Sequence, residues 1–275
     1  AGGLVGDAIS LQGNISNAGT VTFNQSADGI YAGVMSGTGV LTKDGTAALT
    51  LSGANTYSGG TQVNAGGLVG DTTSLQGNIS NAGTVTFNQS ADGTYAGVMS
   101  GTGVLTKDGT AALTLSGANT YTGGLVVNAG EVRLGSAGMG AAANVVTLNG
   151  GTLVANAGTT AFTLAQLNGL NTATLLLRDT SATPAAATIT VGRNDNSTLF
   201  TGTLTASADN RLALTKIGNG TLSLSGVNTY SGGTTVNAGT LSINVGSGIS
   251  GALVMNNGTT VLGNAHNALN ALTSI

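Results

Sequence analysis

The sequence predicts an all-β chain wound as a right-handed parallel β-helix (β-solenoid) with roughly 21–22 residues per coil. Three observations carry that prediction. Residues 1–66 recur at 65–130 with 60 of 66 positions identical, a tandem repeat with an offset of 64. Segments such as Leu49-Thr50-Leu51-Ser52, Thr188-Ile189-Thr190-Val191 and Leu241-Ser242-Ile243-Asn244-Val245 alternate apolar with small polar residues, the period-two pattern of a half-buried strand. Clusters such as Tyr57-Ser58-Gly59-Gly60 and Asn64-Ala65-Gly66-Gly67 break them every few residues, as turn residues do.

Along the chain, residues 1–64 and 65–128 are near-identical tandem copies, 129–213 divergent coils, 214–241 a third partial copy, and 242–275 terminal coils or a cap; the whole reads as one β-helical segment. The first two copies differ at Ala8/Thr72, Ile9/Thr73, Ile30/Thr94, Ser58/Thr122, Thr61/Leu125 and Gln62/Val126. The third keeps Lys43/Lys107/Lys216, Gly53/Gly117/Gly226, Asn55/Asn119/Asn228 and Tyr57/Tyr121/Tyr230, at an offset of 109 from the second. Dividing 64 by three and 109 by five gives about 21.3 and 21.8 residues, one coil. About 13 such coils, ~4.8 Å apart, would make a rod on the order of 60 Å long. Helix is confined to two short candidates, Thr160–Leu170 and Asn264–Leu272. A propeller blade takes about 40 residues or more, and a sandwich core usually draws on aromatics; this chain has nine, four Phe and five Tyr.

Composition narrows the function classes. With 40% hydrophobic residues and a formal net charge of −3, the chain is too apolar and too weakly charged for disorder. Seven basic residues scattered between Lys43 and Lys216 make no basic patch, so nucleic acid is not an expected partner. No apolar run approaches the ~20 residues of a spanning helix, and the aromatics are too few for the girdles of a membrane barrel; the chain is not read as membrane-spanning. The absence of Cys fits any compartment and is convenient where disulfides form readily, as in the periplasm or at a cell surface.

The strings LTKDGTAALTLSGANTYSGGTQVNAGGL (41–68), LTKDGTAALTLSGANTYTGGLVVNAGEV (105–132) and LTKIGNGTLSLSGVNTYSGGTTVNAGTL (214–241) closely resemble the passenger-associated transport repeat of bacterial autotransporters, the type V secreted proteins of Gram-negative bacteria. Ala47-Ala48 and Ala111-Ala112 depart from the pattern, standing where the third copy has Gly220-Thr221. The resemblance implies a β-helical passenger, exported across the outer membrane by a C-terminal translocator barrel and exposed at the cell surface or released. It also links the repeat to secretion and folding. No signal-like stretch follows Ala1 and no barrel follows Ile275, so the sequence reads as an excised part of a larger surface protein.

Catalytic chemistry finds little support. The single His, His266, leaves no triad of Ser, His and acid, and zinc would need more ligands; no cofactor or metal is expected. Asp28/Asp92 precede Gly29/Gly93 as turn acids. A polysaccharide-cutting β-helix would need paired carboxylates, whereas the acids are isolated. Arg178-Asp179, Arg193-Asn194-Asp195 and Asp209-Asn210-Arg211 are the local charge clusters, read as exposed ion pairs or as a polar contact patch. Thr20-x-Thr22, Thr84-x-Thr86, Thr188-x-Thr190 and Thr203-x-Thr205 do not recur once per coil, which disfavours an ice-binding array. Asn55/Asn119/Asn228 and Asn64/Asn128/Asn237 are expected in turns, serving backbone groups or forming outward ladders. The reading is a non-enzymatic stalk acting in adhesion or self-association, with another rod, a host glycoprotein or matrix as partner. The alternative is a purely structural stem for a functional domain elsewhere in the full chain.

Overall fold

The computed structural model describes residues 3–135, 144–155, 161–177, 187–206, 212–244, 248–249, 251–256 and 259–263. Among them all regular structure is strand, wound as a parallel β-solenoid of about 11 turns. The chain forms two compact units, Ala1–Val126 with Ala137–Ala141, and Val127–Ser136 with Ala142–Ile275.

In the first unit the alternation seen in the sequence becomes an inside and an outside. Strands Thr20–Asn24, Val40–Asp44, Thr61–Val63 and Ile79–Asn81 stack in parallel, so Val21 lies beside Leu41, Leu41 beside Thr61 and Thr61 beside Ile79. All four side chains are buried. One residue on, Thr22, Thr42, Gln62 and Ser80 make the opposite column, as the two-residue period of a strand requires. Each turn visits three sides. From Thr20–Asn24 the chain passes to Gly29–Tyr31 on the second side, to Met35–Ser36 on the third, and returns as Val40–Asp44.

This geometry corrects the expectation that each tandem copy divides into three equal coils. The steps from Val21 to Leu41 and from Leu41 to Thr61 are alike, whereas those from Leu4 to Val21 and from Thr61 to Ile79 are shorter. Three turns, begun at Val21, are therefore complete at Ile79, before the copy has ended, and the rest of it carries the chain to Val85 on the second side. Every ladder of the first copy recurs in the second one side further round. Thr20–Asn24 pairs with Val40–Asp44 in one sheet, whereas their copies Thr84–Asn88 and Val104–Asp108 pair in the next. The physical reason is that duplication must conserve strands and corners, not whole turns: ten sides make a seamless repeat just as nine would.

The second unit is built alike, with uneven coils. The turns from Val146 to Leu167 and from Leu153 to Leu175 are close to the expected length. The turn from Leu175 to Leu204 is much longer, and that from Leu222 to Leu241 is shorter. The difference falls between strands, where added chain carries little entropic cost. Thr160–Leu170, expected to be helical, instead contains two strands, Ala161–Leu164 and Gln166–Gly169, meeting at Ala165. Phe162 stacks beside Ile189 and Leu167 beside Val146; pairing with neighbouring turns overrides a weak local preference. The candidate helix Asn264–Leu272, with His266, lies outside the described residues.

Candidate functional site

The residues shared by the three repeat copies converge on one corner construction. Leu41 and Lys43 have the same parity in their strand, so Lys43 enters the interior column between Phe23 and Val63. Lys107 follows Phe87 in the same way, and Lys216 lies between Val191 and Val236. All three are 0–1% exposed. A buried ammonium must be hydrogen-bonded, and the corner supplies carbonyls. Lys43 Nζ donates to the carbonyl oxygens of Asp44 at 2.7 Å, Gly45 at 2.9 Å and Ala65, in the next turn, at 3.2 Å. Lys216 repeats the cage with Ile217, Gly218 and Ala238, and Lys107 Nζ donates to Asp108 and Gly109. Desolvation pulls all three ammonium groups below the usual lysine value; Asp44 and Asp28 oppose this at Lys43, Asp108 and Asp92 at Lys107, and Asp195 at Lys216.

Asparagine and glycine close the opposite corner. Asn55 Oδ1 accepts from Met35 N at 2.7 Å while its Nδ2 donates to Ser74 O at 2.8 Å, so one amide joins three successive turns. Asn119 Oδ1 accepts from Met99 N, and Asn228 Oδ1 from Leu204 N. Gly53, Gly117 and Gly226 sit where a Cβ would overlap the carbonyl oxygens of Gly33, Gly97 and Gly202 of the turn before. Successive backbones touch there, which only glycine allows.

The tyrosines are interior and differ between copies. Tyr57 and Tyr230 share hydrogen bonds with Thr61 at 2.8 Å and Thr234 at 2.7 Å. In the second copy Leu125 replaces the threonine, and among the described residues the buried Tyr121 hydroxyl has no partner. Burial disfavours the charged form and raises the pKa of all three phenols, that of Tyr230 to about 12.

Outside, Asp28 and Asp92 accept from Ala48 N and Ala112 N of the next turn. Asn64 Nδ2 donates to Asp44 Oδ1, Asn149 Nδ2 to Asn128 Oδ1 and Asn256 Nδ2 to Asn237 Oδ1. Of the charge clusters, Asp195 adopts a left-handed turn (φ 60°) and accepts from Asn219 N at 2.7 Å, and Arg193 is exposed. Arg178, Asp179, Asp209 and Arg211 lie outside the described residues. Sequence reasoning missed the Arg133–Glu131 ion pair, 2.6 Å along one strand, whose signal was opposite charges on alternate positions. It also missed that uneven coils bring Thr163, Thr190, Thr215 and Thr235 into one column, and Thr221, Thr240 and Thr260 into another.

A corner repeated this way defines a β-solenoid segment stitched turn to turn by interior lysine, asparagine and glycine. The passenger-associated transport repeat matches residues 41–69, 105–134 and 214–243, the stretches that build these corners. The chain is 33% identical over 177 residues to the adhesin BmaC autotransporter of Brucella suis biovar 1 (strain 1330), covering 60% of this chain and 5% of that protein. No solved structure matches. The chain is an autotransporter passenger segment carrying three of these repeats and related to an adhesin.

Proposed function

We propose that this segment is a non-enzymatic stalk of a surface-exposed passenger, acting in adhesion or self-association and supporting passenger folding during secretion. The observation that carries the reading is the outer face. Thr163–Thr190–Thr215–Thr235, and Thr22, Gln62, Ser80 and Ser100 around a covered Thr42, are columns of uncharged donors and acceptors repeated from turn to turn. Such a face offers many weak hydrogen bonds, whose strength comes from number, and low charge spares a like partner strong repulsion. Export through a translocator barrel to the bacterial surface follows from the kind of protein the relative is. The partner is a second passenger or a host glycoprotein or matrix, with Arg178, Asp179, Arg193, Asp195, Asp209 and Arg211 as a candidate contact patch. Aggregation, biofilm growth and virulence would be downstream readouts.

Beads coated with the purified chain should cluster, or bind immobilised glycoprotein or matrix. Neither event over a wide concentration range would reduce the role to that of a structural stem.

A further inference from the structure

The outward-directed side chains of the two tandem copies are almost the same, but they do not share a side. Thr22, Thr42, Gln62 and Ser80 form a column on the first sheet. The counterparts of Thr22 and Thr42 in the second copy are Thr86 and Thr106, and these stack with Val69, Thr50 and Ile30 on the second sheet. The same step moves Gly29–Tyr31 with Leu49–Leu51 from the second sheet to the third, where Gly93–Tyr95 pairs with Ala112–Leu115. It also moves the pair Ile15–Ser16 and Met35–Ser36 from the third side to the first, as Ile79–Asn81 with Met99–Ser100. Three independent sets of ladders thus advance by the same single side.

We propose that the tandem copy is a rotating display unit: each added copy shows the same outward residues from the next side, and a fourth copy would return to the first. The proposal rests on the surface-acting role above for its purpose, though not for its geometry. A flat partner covers one side of a solenoid, so two copies turned a third of a revolution apart cannot both engage it, and simultaneous engagement is what multivalent binding requires. Two copies instead face two neighbours. Gain or loss of a copy is seamless, because the junction it leaves is a sequence the chain already contains: removing residues 41–104 joins Val40 to Leu105, just as Val40 precedes Leu41. The number of copies therefore sets the direction in which the surface faces without adding a strained joint.

Cysteine cross-linking in the full chain tests this, since stacked strands lie about 4.8 Å apart, within disulfide reach. The pair Thr86→Cys with Thr106→Cys should oxidise readily in the native chain, and Thr22→Cys with Thr106→Cys should not. In a chain lacking residues 41–104 the Thr22→Cys/Thr106→Cys pair should close. Spin labels in the native chain give a second measurement independent of that deletion. Labels at Thr22 and Ser80, three turns apart on one side, should lie about 14 Å apart, and labels at Thr22 and Thr86 further. A Thr22–Thr86 distance equal to or shorter than Thr22–Ser80, or a Thr22–Thr106 disulfide in the native chain, would overturn the rotation. Beads that never cluster, with these cross-links as expected, would sink the surface-acting role and leave the rotation standing.

Discussion

Two corners of the first unit differ by one buried side chain. In the first copy Tyr57 points its hydroxyl at Thr61; in the second, Leu125 stands in the place of that threonine and the Tyr121 hydroxyl is left unpaired among the described residues. Both tyrosines are fully interior, and Thr61 and Leu125 are both buried. The difference teaches that filling this position is what the stack of turns demands, while the hydrogen bond is a separate contribution that a nearly identical copy can do without.

The most severe way to break the comparison is to remove what both corners share. Lys43→Ala and Lys107→Ala should each cost about 3–5 kcal/mol, since a long core side chain is deleted and corner carbonyls lose their donor. Similar losses at the two sites, read by denaturant unfolding, would show that the lysine corner contributes equally in both copies. Thr61→Leu should then impose the second copy's defect on the first, at about 1–3 kcal/mol, and Leu125→Thr should recover part of it. Tyr57→Phe should cost about 1 kcal/mol, whereas Tyr121→Phe should be neutral or stabilising, because it removes a buried group with nothing to bond.

Alkaline pH sharpens the same contrast. Burial holds these phenols above the ordinary value of 10.0, so the unfolded chain loses its protons first. Their contribution to stability is intact below pH 10 and falls as the pH rises beyond it. The lysines act in the opposite sense: with ammonium groups held below 10.5, the unfolded chain keeps the protons longer and stability gains across that interval. Replacing Tyr121 with Phe should flatten the alkaline loss, measured as the unfolding midpoint between pH 9 and pH 11. The smallest effect is expected at Ile30→Thr, which copies the second repeat at a position 65% exposed and should change stability by less than about 0.5 kcal/mol.

Strands and corners were legible because each depends on a short stretch of chain. Leu49-Thr50-Leu51 announces an inward–outward strand by itself, and Gly53 a corner. Lys43 was legible as a residue kept in all three copies and sharing parity with Leu41, but the carbonyls that accept from its Nζ come from a folded corner and from the next turn, which the order of residues does not display. The phase of the repeat was not legible. It depends on where Thr61 stacks on Leu41 and Leu68 on Leu49, a property of the neighbouring turn that no local pattern encodes. Uneven coils hid the threonine columns for the same reason: Thr190 and Thr215 are stacked across a longer turn than the one that joins Thr215 to Thr235. Likewise Phe162 and Leu167 fall in a stretch that reads as a short helix, and only their partners in adjacent turns make them strands.

Lys43, Lys107 and Lys216 are the only lysines in the chain, and all three are enclosed by corner carbonyls. The folded segment therefore offers no lysine side chain to its surroundings. A protease that cuts after lysine, an aldehyde or an acylating reagent finds no lysine to attack until a turn opens, so lysine chemistry on this protein becomes a clock for the unwinding of individual coils.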